Sequence, residues 1–69
     1  MNAAKIATAK AEARRFLEAV KVLEAEIVRQ EAENKARQYS YVSTPKQSGS
    51  VRRASMDLTR ALANMRTHD

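Results

Sequence analysis

The chain of 69 residues has no cysteine and no tryptophan, one glycine, one proline, one histidine and three aromatic residues in all. Each shortage removes a class of protein. Without cysteine there is neither a disulfide framework nor a thiolate metal site. His68 stands alone beside the C-terminus with no ligand set around it, so a structural zinc is not expected. No apolar run approaches the roughly 20 residues that cross a bilayer. The opening Met1-Asn2-Ala3-Ala4-Lys5 lacks the charged-then-apolar layout of a secretory signal, which makes a cytoplasmic protein the expectation. Catalysis finds little support either. The six glutamates are spread along the first helical stretch, and no acid, base and nucleophile are grouped, so an enzyme is not expected.

What remains is rich in Ala, Glu, Lys and Arg, the composition of an all-helical protein. A single domain over residues 1–69 is expected. A chain this short buries only about 60% of its unfolded surface and is marginal alone, so oligomerisation is the natural staple. The net charge is +5 and is uneven. Residues 1–38 hold eight Lys/Arg against six Glu, and residues 39–69 hold five against two Asp. A local basic excess of this kind suits a compact anionic partner at one place.

Residues 2–38 contain no Gly or Pro and read as one long helix capped by Asn2. Ile6, Ala9, Ala13, Phe16, Val20, Leu23 and Ile27 step by threes and fours, an apolar stripe that a strict heptad would continue and that Gln30 and Asn34 interrupt. The pairs Glu31–Lys35, Glu33–Arg37 and Arg14–Glu18 are expected on the solvated face. Residues 39–44 form a connector, with Tyr39 and Tyr41 either packing the corner or stacking on a ring. Thr44-Pro45-Lys46-Gln47 matches a capping box, with Pro45 as first helical residue of a second helix over residues 45–66. Its stripe is Val51, Ala54, Leu58, Ala61, Leu62 and Met65. The expected fold is all-α, an antiparallel helical hairpin of unequal arms. On lengths alone the second helix covers the first only from about Phe16 onward. Ile6, Ala9 and Ala13 would then stay bare in a monomer, which predicts a homo-oligomer.

The functional signal is Thr44-Pro45-Lys46-Gln47-Ser48-Gly49-Ser50-Val51-Arg52-Arg53-Ala54-Ser55, which holds the only Pro, the only Gly, three cations and no acid. A helix N-terminus already carries partial positive charge and unpaired N–H groups, and acids normally gather there. Placing Lys46, Arg52 and Arg53 there instead points to an anion, phosphate first, with hydroxyls of Thr44, Ser48, Ser50 and Ser55 as donors and Gly49 allowing close approach. The competing reading is an ordinary capped helix start with solvated cations. The spacing is not that of a P-loop. Arg52-Arg53-Ala54-Ser55 also matches a basophilic kinase site, a four-residue pattern common by chance. Two other classes stay open: a basic hairpin that binds nucleic acid, and a small inhibitor that docks on another protein without an obvious aromatic hot spot.

A small helical hairpin whose second helix opens with Arg and Ser/Thr resembles the phage anti-CBASS cyclic-nucleotide sponges and the helical-hairpin part of some anti-Thoeris sponges. The residues that carry the resemblance run from Thr44 to Leu58. It implies a non-enzymatic protein without cofactors, assembled into oligomers (often hexamers), that sequesters cyclic di- or trinucleotides in the bacterial host's cytoplasm. It further implies that Arg52, Arg53 and Lys46 meet phosphates, that Thr44, Ser48 and Ser55 complete the cradle, and that Tyr39 or Tyr41 stacks on a base. Phe16 and Lys21 are candidates to reach in from a neighbouring chain.

Overall fold

The computed structural model describes residues 1–37 and 41–67. Two helices account for most of them: α1, Ala3–Ala36, and α2, Pro45–Arg66. They pack against each other as a hairpin, and the molecule is a rod of 56 × 14 × 13 Å.

Local chemistry sets the helix ends. The Asn2 side-chain oxygen accepts from the Lys5 backbone N–H at 2.9 Å, so one of the four orphan N–H groups at the start of α1 is satisfied. Proline occupies the first position of α2, where its missing N–H costs nothing. The expected capping box does not form there. Thr44 makes no side-chain cap bond, and its hydroxyl pairs with the Ser48 hydroxyl at 2.9 Å instead. No acid stands in the first turn of either helix.

The contact between the helices is built on small residues. Among the described residues Ala9, Ala54 and Ala61 are the buried core, and no side chain is fully enclosed. Alanine at the crossing lets helix axes approach closely, and the larger side chains Phe16, Val20, Leu23, Ile27, Val51, Leu58, Leu62 and Met65 are half-buried around it.

The lengths do not set the register as the sequence suggests. Ala9 is 5% exposed and Ala13 is half-buried, so neither is bare, and only Ile6 of that trio stays exposed. The tail of α2 reaches the start of α1: the Met1 ammonium donates to the Thr67 carbonyl at 3.3 Å, and Lys5 Nζ donates to the Thr67 hydroxyl at 3.4 Å. The reason lies in the connector, which doubles back along the last turns of α1. Gln30 holds Ser43 in both directions, Nε2 donating to its carbonyl at 2.6 Å and Oε1 accepting from its N–H at 2.8 Å. Asn34 Nδ2 donates to the Tyr41 carbonyl. The two polar residues that interrupt the apolar stripe are therefore the ones that hold the connector. That return path absorbs the extra length of α1 and removes the length argument for oligomerisation.

The surface ion pairs also differ from the expected set. Among the described residues none joins Glu31–Lys35, Glu33–Arg37 or Arg14–Glu18. Arg15 pairs with Glu12 at 2.9 Å, and Arg29 bridges Glu26 at 2.5 Å and Glu33 at 2.8 Å. Glu26 also accepts from Gln30 at 3.0 Å. The Arg29 hydrogen bond, followed by that of Gln30, lowers the Glu26 carboxyl from 4.5 to about 2 and raises the Arg29 guanidinium further above its ordinary value. The cluster ties the connector clamp to its own helix.

Candidate anion-binding groove

Packing α2 against α1 through small residues leaves the sides of the hairpin grooved. The groove richest in positive charge has a volume of about 540 Å³ and lies beside the first turns of α2. From α1 it takes Arg15 and Ala19, and from α2 Lys46, Gly49, Ser50 and Arg53. The four α2 residues sit at steps of three, one and three, which places them on one helix face. Three cations from two helices line the groove and no carboxylate does.

The cations differ in what holds them. Arg15 donates to both Glu12 oxygens, at 3.1 and 2.9 Å, and lies 4.0 Å from Asp57 Oδ2. Its side chain is still 60% exposed, so the guanidinium is oriented by Glu12 but reachable. Lys46 and Arg53 have no ion pair or side-chain hydrogen bond among the described residues. Their charge is therefore uncompensated beside a helix N-terminus that adds further positive potential. The Ser50 hydroxyl donates to the Lys46 carbonyl at 3.1 Å. Gly49 leaves open space, because a Cβ added there would meet nothing within 4 Å.

An adjoining groove of about 470 Å³ shares Arg15, Ala19, Lys46 and Ser50 and adds Val22 and Glu18. The pair forms one trough, cationic at one end and more apolar at the other. A phosphate fits the first end by charge and hydrogen bonding, and the flat face of a ring fits the second. No group of His, Cys, Asp and Glu among the described residues is arranged to hold a metal ion.

The residues singled out from the sequence are divided by this geometry. Lys46, Gly49, Ser50 and Arg53 come together in the groove. Arg52 does not line it; it borders a smaller hollow of about 330 Å³ on the outer side of α2, with Arg53, Gly49, Met56 and Arg60. Thr44 and Ser48 spend their hydroxyls on each other. Ser55 is half-buried in α2, and its carbonyl accepts from Thr59 at 2.9 Å. Tyr41 is 67% exposed on the connector and lines neither groove of the trough. Tyr39 lies outside the described residues. Phe16 is half-buried on the stripe of α1. Lys21 is exposed and, six residues from Arg15, stands about 120° around α1 from it.

Arg15 is the groove residue that sequence reasoning missed. Its signal was its register: finding it requires knowing which turn of α1 lies beside Lys46, and that depends on the returning connector. Comparison with protein-family models, with curated proteins and with solved structures returned no match for this chain.

Proposed function

We propose that this hairpin is a non-enzymatic binding protein for a small phosphorylated ligand, held in the trough between α1 and α2. The observation that carries the reading is the convergence of Arg15, Lys46 and Arg53 on one groove whose lining contains no acid. Arginine and lysine around an open groove, with the N-terminus of a helix beside them, attract and orient a phosphate. The volume of the trough is within the range of small-ligand sites. The more apolar end beside Ala19 and Val22 offers a surface for a base. A cyclic di- or trinucleotide satisfies both ends, which is the ligand class that the resemblance to phage nucleotide sponges implies. On this reading the protein acts in a bacterial cytoplasm as a homo-oligomer and works by sequestration.

Binding of nucleic acid is the second reading, favoured by one observation. Lys46, Arg53 and Arg60 repeat every seven residues, which sets a row of cations along α2 at about 10 Å intervals. Phosphates of a strand can follow such a row. Asp57 interrupts it and lies 4.0 Å from Arg15, which favours a compact ligand at the Lys46 end.

Thermal unfolding against cyclic di- and trinucleotides, with a short DNA duplex beside them, separates the two. A ligand at 100 times its Kd that binds only the folded chain adds about 2.7 kcal/mol. A domain of this size reads that as a rise of roughly 10 °C or more. The proposal expects this rise with a cyclic nucleotide and a shallow salt dependence. A rise with duplex alone, falling steeply with salt, would replace it with the second reading.

A further inference from the structure

Among the described residues the hairpin encloses no large side chain, and the buried ones are three alanines. Apolar surface is left over, and part of it is ordered. Ile6, Leu17 and Val28 of α1 remain 45%, 65% and 66% exposed. They are spaced eleven residues apart. Eleven residues make about three turns, so the three stand in a nearly straight row that drifts only about 20° per step. The row is on the opposite side of α1 from Arg15. The other exposed aliphatics, Met1, Val22 and Met56, form no such row.

We propose that this row is the seam of a two-fold symmetric dimer, in which a second copy of the chain lays its own row antiparallel on the first with Leu17 at the axis. The inference rests on the self-association in the proposed function but not on its ligand. The sequence is balanced about Leu17. An antiparallel partner sets Ile6 against Val28 and Leu17 against Leu17. Between these levels it sets Lys10 against Glu24, and Ala13 against Lys21. Lys10, Lys21 and Glu24 are exposed and have no ion pair or side-chain hydrogen bond within the chain's described residues. The dimer gives Lys10 and Glu24 their partners twice over. A parallel arrangement would stack Lys10, Lys21 and Glu24 each on its own copy, like against like, which selects against it. The two-fold axis makes the contact self-complementary and closed. The basic groove, on the other flank, stays open in both copies.

Sedimentation across roughly 10 μM to 1 mM should show the wild-type chain moving from 7.7 kDa toward twice that mass. Leu17→Glu sets two carboxylates face to face at the axis and should hold the chain at the monomer mass throughout. Lys10→Glu or Glu24→Lys alone should weaken the dimer by about 10-fold, two exposed ion pairs' worth, and the double exchange should recover it. Because the chain has no cysteine, a mixture of Ile6→Cys and Val28→Cys treated with a short thiol cross-linker reads the direction, and Ile6-to-Val28 products are expected. A wild-type monomer at every concentration, a dimer indifferent to Leu17→Glu, or cross-links only between identical positions would overturn the proposal. Ligand binding measured on the same wild-type chain separates the two readings: a chain that dimerises but binds no nucleotide sinks the groove and leaves the seam, and one that binds but never dimerises does the reverse.

Discussion

The two flanks of the hairpin carry opposite deficits. On one, Arg15, Lys46 and Arg53 line a groove with no acid in its lining, and Lys46 and Arg53 have no ion pair among the described residues, so charge is left uncompensated. On the other, Ile6, Leu17 and Val28 stand in a row between charges of both signs, so apolar area is left uncovered. On the proposed reading an anion completes the first flank and a second copy of the chain completes the other. The same two helices supply both, because α2 packs against α1 through alanines and leaves both sides of α1 reachable. The difference teaches that a rod with almost no interior can keep separate surfaces for ligand and for its own copy.

The largest expected effect comes from reversing the charge of one flank. The double variant Lys46→Glu, Arg53→Glu should lose more than about 100-fold in affinity for a cyclic nucleotide, since hydrogen bonds to charged groups are worth about 1.5–3 kcal/mol each. Titration calorimetry checks this, and circular dichroism should show α2 intact, because neither side chain holds an internal partner. If the seam belongs only to the other flank, the same variant should sediment as the wild type does.

A smaller effect tests what positions the groove. Gln30→Ala removes both bonds to Ser43 and one to Glu26. Ser43 is exposed, so water can replace part of the loss, and a cost of about 1–2 kcal/mol is expected. Chemical denaturation should show it as a lower midpoint with an unchanged slope. An unchanged midpoint would mean that the connector's return path is set by something other than Gln30.

Gly49→Ala sharpens the comparison in a different way. The site is helical and open, so alanine should stabilise the chain by up to about 1 kcal/mol. If a ligand approaches the backbone there, the added methyl should weaken binding while Tm rises. A rise in Tm with unchanged affinity would place the ligand away from Gly49.

The smallest effect is one of pH. Glu26 is held at about 2 by Arg29 and Gln30 against an ordinary 4.5. A carboxyl lowered in the folded state contributes stability that is present above its unfolded value and is lost as pH falls through the folded one. A thermal series should therefore show Tm declining between about pH 4.5 and 2 from this group, with the decline reduced in Glu26→Gln. The exposure of the cluster keeps the effect small.

Much of the fold was legible in the sequence for local reasons. Asn2 caps α1, Pro45 opens α2, and both stripes sit where threes and fours put them. The register was not legible. Helix lengths alone place Ala9 and Ala13 beyond the reach of α2, whereas the connector returns along α1 and brings Thr67 back to Lys5. Gln30 and Asn34 held that information. In a stripe that otherwise faces a helix, a polar residue marks a place where the facing surface is backbone with bonds to satisfy. The site was legible in part for the same reason. Lys46, Gly49 and Arg53 share a face by spacing, but only the register could add Arg15 and set Arg52 apart.

The proposed function places a phosphorylated ligand in the trough between the helices, beside Arg15. The most direct test is calorimetric titration of a binding cyclic nucleotide into Arg53→Ala, Arg15→Ala and Arg52→Ala in parallel. The account predicts losses of about 10-fold or more for Arg53→Ala and Arg15→Ala and less than about two-fold for Arg52→Ala. Equal losses at Arg52 and Arg53 with none at Arg15 would contradict it and move the ligand to the outer face of α2.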